Sequence, residues 1–379
     1  MRRLLLVAVL TCWPALAVGQ ASIFGIRGPG IPRHGFSTRA VGSAGAFSLF
    51  DPESSIGPAS LGFAPSITGT ITVADDFRST STPAGDADVR SVRFPQAMIA
   101  VPIRTTPFVV SLSVSSYTDR DFTIATIDTL SILGNEVEVI DTLSSRGGLS
   151  DLRFALAWRV SQQSNLGFGF HFVTGVSRER LGRRFSDSTF LPVIQQAELA
   201  ASGVGLSLGG SQQLGRRLAV SGMVRKDFRA SLELDSADVG SFALPWHFAA
   251  GVRAALTRRL DVGAQALYQA WSSADSLLQA NGGAGATSAL NLSVGAEYTT
   301  TAGRPGMVPV RLGARYATLP FLTEPDAQPT EFAVSGGTGI RFARERGGLD
   351  FSVERYWRRD DRGRTEGGWL LYFGASIRP

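Results

Sequence analysis

Apolar and polar residues exchange places at every position through several stretches of the chain, the two-residue period of an extended strand whose faces meet different surroundings. In residues 291–298, Leu292, Val294, Ala296 and Tyr298 share one face, and Asn291, Ser293, Gly295 and Glu297 share the other. Residues 153–160 set Phe154, Leu156, Trp158 and Val160 against Arg153, Ala155, Ala157 and Arg159. Residues 308–316 set Val310, Leu312, Ala314 and Tyr316 against Arg311, Gly313 and Arg315. A face of Arg, Glu and Gly does not suit the dry interior between two packed sheets. It suits a wet lumen, with the apolar face turned to hydrocarbon.

About fourteen such segments occur, beginning near Ser66, Asp88, Pro107, Leu149, Asn165, Gln196, Arg217, Phe242, Arg259, Thr287, Val308, Pro329, Gly348 and Gly367. Each has the roughly 9–11 residues that a tilted strand needs to cross a bilayer. Short polar turns at 104–106, 161–164, 212–215, 257–258 and 343–347 alternate with longer links at 119–146, 177–194, 273–285 and 319–328. Tight turns at one end and long loops at the other are what an up-and-down membrane barrel shows. The pattern therefore predicts an all-β fold, a transmembrane antiparallel β-barrel of about fourteen strands over residues 66–379. Trp158, Trp246, Trp271, Trp357, Trp369, Tyr268, Tyr298 and Tyr316 fall near predicted strand ends, where amphipathic rings sit at the headgroup level. The last strand alternates Trp369, Leu371, Phe373, Ala375 and Ile377, and Pro379 stands where bacterial barrels usually end in an aromatic.

Composition agrees. The 379 residues are 44% hydrophobic but only 18% charged, against about 25% charged in soluble domains. Beyond the N-terminus no apolar run approaches the roughly 18 residues of a spanning helix. Arg2 and Arg3 precede the apolar residues 4–10, and Ala15, Ala17, Gly19 and Ala21 follow, which predicts a secretory signal peptide over about residues 1–20. Cys12 lies inside it. Thr11, Trp13 and a short apolar core argue against a lipoprotein acceptor there, so the mature chain is expected to lack thiols, disulfides and Cys–metal sites. Loss of Arg2 and Arg3 lowers the formal charge from +5 to +3. Lys226 is the only lysine, and the arginines are scattered rather than clustered, which argues against nucleic acid as a partner.

Residues 21–65 are rich in Gly, Ser, Ala and Pro with little period, and they are too long for an idle lead-in. They contain Arg39-Ala40-Val41-Gly42-Ser43-Ala44-Gly45-Ala46, then Asp51-Pro52-Glu53-Ser54-Ser55, then Pro58-Ala59-Ser60-Leu61. The second strand carries Pro95 and Pro102 within Phe94-Pro95-Gln96-Ala97-Met98-Ile99-Ala100-Val101-Pro102-Ile103. These stretches resemble the FadL/TodX family of outer-membrane transporters for hydrophobic compounds, with a Gly/Ala-rich stretch, an acidic pair and an Asn-Pro-Ala motif before the first strand. Gly57 stands in place of the Asn, and Leu49-Phe50 precede Asp51 where the acidic pair is usual. The resemblance implies a fourteen-stranded barrel whose N-terminal segment folds inward as a plug. Arg39, Gly42, Gly45, Ala46, Asp51, Pro52, Pro58 and Ala59 would belong to that plug. Physically, a barrel this wide is not filled by its own side chains, and small residues let a backbone lie against a crowded wall. The family also has a glycine-associated kink in its third strand that opens the wall sideways. Residues 108–114 have no glycine, which argues against such an exit.

The implied function is passive uptake of hydrophobic or amphipathic compounds such as long-chain fatty acids. The expected partners are that ligand, outer-membrane lipid and the barrel assembly machinery. Apolar residues in the link after strand three, Ile124, Ile127, Leu130, Ile132 and Leu133, would suit capture. A second reading is a non-transporting outer-membrane barrel, a structural or secretion-system anchor. Candidate chemistry is sparse. Gly205-Leu206-Ser207-Leu208-Gly209 matches the G-x-S-x-G nucleophile elbow but lies in an alternating strand with no helix after it, so no catalytic residue is assigned and no enzyme is expected. His34, His171 and His247 are the only histidines and none has ligand spacing, so neither a metal nor a cofactor is expected. Arg153, Arg159, His171, Glu297, Arg311 and Arg315 are expected to face the lumen, either paired with one another or touching a ligand.

Overall fold

The computed structural model describes residues 22–82, 85–132, 134–187, 189–280, 283–300, 308–343 and 346–379, and the expected signal peptide lies outside them. Fourteen antiparallel strands cross the membrane in chain order and close on themselves. The first seven are β1 (Thr68–Thr82), β2 (Gly85–Pro102), β3 (Phe108–Ser116), β4 (Asn135–Arg159), β5 (Ser164–Phe185), β6 (Val193–Leu214) and β7 (Leu218–Asp227). The rest are β8 (Trp246–Ala255), β9 (Leu260–Gln269), β10 (Ala289–Thr299), β11 (Pro309–Thr318), β12 (Thr330–Phe342), β13 (Gly347–Arg359) and β14 (Thr365–Ile377). Each pairs with its sequence neighbours, and β14 pairs with β1 from Ile377↔Gly69 to Thr365↔Ser81, which closes the sheet on itself.

The alternating pattern sorts side chains as the solvents demand. Leu292, Val294, Phe351, Phe373 and their like point outward and are exposed, whereas Ser293, Arg311, Ser352 and Glu354 are buried within. Trp158, Trp246, Tyr268, Tyr298, Tyr316, Trp357 and Trp369 all point outward, between 41% and 50% exposed. Trp271 does not. The link after β9 folds back over the mouth, and Trp271 is fully buried there against Tyr117, Leu244 and Phe321.

Two of the expected long loops are mostly strand. β4 begins fourteen residues before Leu149, and its outer half pairs with a hairpin arm at Phe122–Ile132. β5 and β6 continue outward together to the pair Arg183↔Val193. Beyond the bilayer neither face needs to be apolar, so the hydrophobic period fades while the backbone ladder runs on. A further hairpin, Arg229–Leu234 with Ala237–Ala243, stands on the rim, and it contains Phe242, where the eighth crossing was expected to begin.

Residues 22–62, most of them buried, lie against inward-facing side chains of the wall. Ser37 caps the short helix α1 (Thr38–Val41) by accepting the Ala40 N–H at 3.0 Å, and Pro58 opens a 3-10 turn, Pro58–Phe63. Gly42 lies against the wall at Gly337; a Cβ on Gly42 would come within 3.1 Å of the Gly337 Cα and 2.9 Å of the Ser352 Oγ. Gly45 takes a φ of +89°, turning the chain beneath the Phe36 ring.

β3, without glycine, keeps an unbroken register with β4, yet the wall changes beyond it. Its ladder with β2 ends at Gln96↔Ser115. The next residues bend inward, and Thr118–Asp119 pair with Ile31–Pro32 of the inner segment. Among the described residues, the outer part of β2 keeps ladder partners only on β1. Arg93 spans this break with ion pairs to Asp119 and Asp121.

Candidate functional site in the lumen

Charged side chains at several heights tie the inner segment to the wall. Near its middle, Arg39 donates to Glu297 through Nε at 3.1 Å and Nη2 at 2.9 Å. Arg311 donates to the same carboxylate at 2.7 Å and to Asp350 at 2.9 Å. Ser48 Oγ and the Leu49 N–H both donate to the Gln265 side-chain oxygen, at 2.8 and 3.2 Å. Arg159 donates to the carbonyls of Gly62 and Ala64, holding down the end of the 3-10 turn. Within the segment, Asp51 accepts from Ser37 Oγ, Ser54 Oγ and the Glu53 N–H, so Pro52 sits in a turn closed by its neighbours. Ala46 and Ala59 are buried. Burial, then the nearby carboxylates of Asp51 and Asp350, push the Glu53 carboxyl up from its ordinary range, and Arg378 pairs with it at 2.9 Å.

Above this floor a cavity of about 310 Å³ opens between the inner segment, at Ile31, Arg33 and His34, and the wall, at Asn291, Leu319 and Tyr372. Apolar and polar groups both line it, which suits a molecule with an apolar body and a polar end. His34 faces it while enclosed by the barrel. Burial, then the Arg315 cation, push the imidazole down to about 3, so it is neutral at ordinary pH and its Nε2 accepts from Asn291 Nδ2 at 3.0 Å. Arg315 donates through Nη2 to Glu331 at 2.8 Å and Glu354 at 2.9 Å, while its buried Nε has no hydrogen-bond partner.

On the opposite wall a hydrogen-bonded chain crosses six strands. Ser207 Oγ lies 2.8 Å from His171 Nε2, and His171 Nδ1 lies 2.9 Å from Asp151. Arg225 Nη1 donates to Asp151 at 2.5 Å and its Nε donates to Asp227 at 2.8 Å. Asp227 also accepts from the Tyr117 hydroxyl at 2.8 Å and meets His247 at 3.0 Å, and Gln269 meets the other His247 nitrogen at 3.1 Å. Arg153 stands beside this chain, fully buried, with no hydrogen-bond partner on any of its three nitrogens.

Of the residues expected in the lumen, Glu297, Arg311 and Arg315 are thus paired with other side chains. Arg159 is spent on backbone carbonyls, His171 belongs to the chain, and Arg153, beside the Asp151 charge, has no hydrogen-bond partner. Asp151, Ser207, Arg93, Asp119, Glu331 and Arg358 were not singled out as a site from the sequence. The inward parity of Asp151, Ser207, Arg93, Glu331 and Arg358 was readable, but which strands bring them together was not, and Asp119 fell in an expected loop.

A closed barrel with an apolar exterior, a charged interior and an N-terminal segment enclosed by it defines a transmembrane β-barrel of the outer-membrane class. Its fold is that of the FadL/TodX transporters. It is similar to a Pseudomonas aeruginosa FadL homologue, with a TM-score of 0.64 and 14% identity over 92% of this chain and 99% of that one. It is also similar to the toluene transporter TodX of Pseudomonas putida, with a TM-score of 0.57 and 12% identity over 92% and 99%. The monoaromatic hydrocarbon channel CymD gives a TM-score of 0.56 and 14% identity over 91% and 98%. No protein-family model matches the sequence, and no curated protein matches it.

Proposed function

We propose that the barrel passes hydrophobic or amphipathic compounds across the outer membrane without an energy source. The observation that carries this reading is the lumen cavity beside His34, at the height where the β2–β3 ladder stops and the wall is held by Arg93 ion pairs. A compound entering from the loop side meets the cavity first. Its way out opens when the inner segment, paired through Ile31–Pro32 with Thr118–Asp119 beside the break in the wall, shifts. Similarity in fold to hydrocarbon and toluene channels supports a small hydrophobic cargo. Long-chain fatty acids fit the same reading through their single polar end, for which the polar rim of the cavity supplies partners. Ile124 and Ile127, on the exposed outer hairpin rather than in a loop, are placed to make first contact; Leu133 lies outside the described residues.

The test is flux in proteoliposomes, using radiolabelled toluene and oleate. Uptake above that of empty vesicles is expected for at least one of them. A folded barrel that passes neither is an anchor rather than a transporter.

A further inference from the structure

We propose that Ser207, His171 and Asp151 form an acyl-ester hydrolase site inside the barrel, with Arg153 as the group that receives negative charge. The inference goes beyond transport, and only access to the site rests on the movement of the inner segment that the transport reading uses.

The strand context of Ser207 is as the sequence suggested, since it lies within β6 and no nucleophile elbow is present. What the sequence did not show is its company. Asp151 on β4, His171 on β5 and Ser207 on β6 sit on three adjacent strands and face the same lumen. Their contacts run in the order nucleophile, base, orienting carboxylate, at 2.8 and 2.9 Å. These are the separations that let a serine hydroxyl lose its proton to an imidazole held in one tautomer. Asp151 is fixed from behind by Arg225, which is itself fixed by Asp227. Gly169, the register partner of Ser207, is what allows the meeting. A Cβ there would stand 2.5 Å from Ser207 Oγ and 3.2 Å from His171 Nε2.

Arg153 is the second, independent observation. It is the register partner of His171, and its Cδ stands 3.6 Å from the same point beside Gly169. A fully buried guanidinium with three unpartnered nitrogens is costly unless an anion comes to it. The backbone N–H groups around Ser207 are committed to the β5–β6 and β6–β7 ladders, so no backbone oxyanion hole can form there. Arg153 supplies the donors that site lacks.

In the reaction, Ser207 Oγ bonds to the ester carbonyl carbon as its proton passes to His171 Nε2, and the carbonyl oxygen, now negative, turns to Arg153. The C–O bond to the alcohol then breaks, and the alcohol leaves with the proton from His171. Water attacks the acyl-serine, its proton passing to His171 and on to Ser207 Oγ as the acyl bond breaks. The products are the free alcohol and a carboxylic acid, which ionises, leaving a carboxylate beside Arg153 and a proton in solvent. The site lies one inward rung above Gly167 and Gly209, against which Pro58 of the 3-10 turn packs. That turn, held by Arg159, adjoins the site on that side.

The experiment uses the full chain in detergent micelles, treated with a fluorescent alkyl fluorophosphonate, with the adduct mapped by peptide mass spectrometry and p-nitrophenyl butyrate hydrolysis followed in parallel. A Ser207 adduct is expected in the wild type, forming at least tenfold faster in Arg159→Ala. It should disappear in Ser207→Ala, and the rate should fall about 10²–10⁴-fold in His171→Gln, the usual worth of a general base. If neither the wild type nor Arg159→Ala, both shown folded by heat-modifiable gel migration, carries label on Ser207, the chain is a structural polar ladder and the proposal falls. Flux is scored separately, so labelling without flux removes only the transport reading, and flux without labelling removes only this one.

Discussion

Replacing Arg39 by Ala tests how the inner segment is held. Arg39 makes two charged hydrogen bonds to Glu297, at 2.9 and 3.1 Å. Stripping one partner from a buried ion pair can cost about 3–5 kcal/mol when the other is left alone. Here Glu297 keeps Arg311 at 2.7 Å, and the Arg39 side chain is 31% exposed. The loss is then that of a charge-assisted contact, about 2 kcal/mol. At 1.4 kcal/mol per factor of ten, the displaced state of the segment becomes roughly thirtyfold more populated. Amide hydrogen exchange read by mass spectrometry on peptides spanning residues 38–50 measures this directly, because exchange there proceeds through displacement. A rise of about thirtyfold is expected in those peptides, with none in β8 to β14. Unchanged exchange in the segment refutes the claim that this ion pair holds it.

Acidification should loosen the same segment. His34 is neutral when docked and held down to about 3, chiefly by burial and then by Arg315, with Arg33 and His247 acting in the same direction and Glu331 opposing. A group whose pKa is depressed on folding stabilises the docked state above its free value, near 6.5, and that stability is lost as pH falls towards 3. Protection of residues 31–38, measured relative to the intrinsic exchange rate at each pH, should therefore fall below pH 6, and His34→Gln should flatten that dependence; equal slopes in the two proteins would remove His34 from the explanation. Gly45→Ala forces a Cβ into a +89° φ and within 2.6 Å of the Phe36 ring, so melting of the inner segment should shift down by an amount equivalent to about 1–3 kcal/mol while the barrel persists. Trp271→Ala empties the cap over the mouth, where Phe321 stacks edge-on at 5.0 Å, and should cost the rim about 3–5 kcal/mol as read by protease nicking of the 270–288 link. No change in that nicking would mean that the cap does not depend on Trp271.

Much of the architecture is legible in the chain because a membrane barrel writes its two solvents into every second residue. The parity of Arg153, Glu297, Arg311 and Arg315 could be read directly, and so could most strand starts, several within three residues of those observed. Legibility ends where that constraint ends. The outer halves of β4, β5 and β6 lie beyond lipid, and pairing there is set by backbone register rather than by apolar content. Trp271 read as a girdle residue because an aromatic near a strand end looks the same whether its link turns outward or folds back over the mouth. The inward bend after Ser116 needs no glycine in β3, because the chain is drawn in by pairing with Ile31–Pro32 rather than by a kink. The Ser207–His171–Asp151 chain depends on three strands in register, and a single strand's sequence carries no trace of its neighbours' rungs.

The most direct measurement of transport through a displaceable inner segment is a reversible lock. Pro32 and Thr118 are register partners across the only ladder joining that segment to the wall among the described residues, and Cα atoms so paired lie within disulfide reach. In the Pro32→Cys/Thr118→Cys protein, oxidised in proteoliposomes, uptake of toluene and oleate should fall to the level of empty vesicles and return to the wild-type rate on reduction. Full uptake while the disulfide is intact would contradict the account.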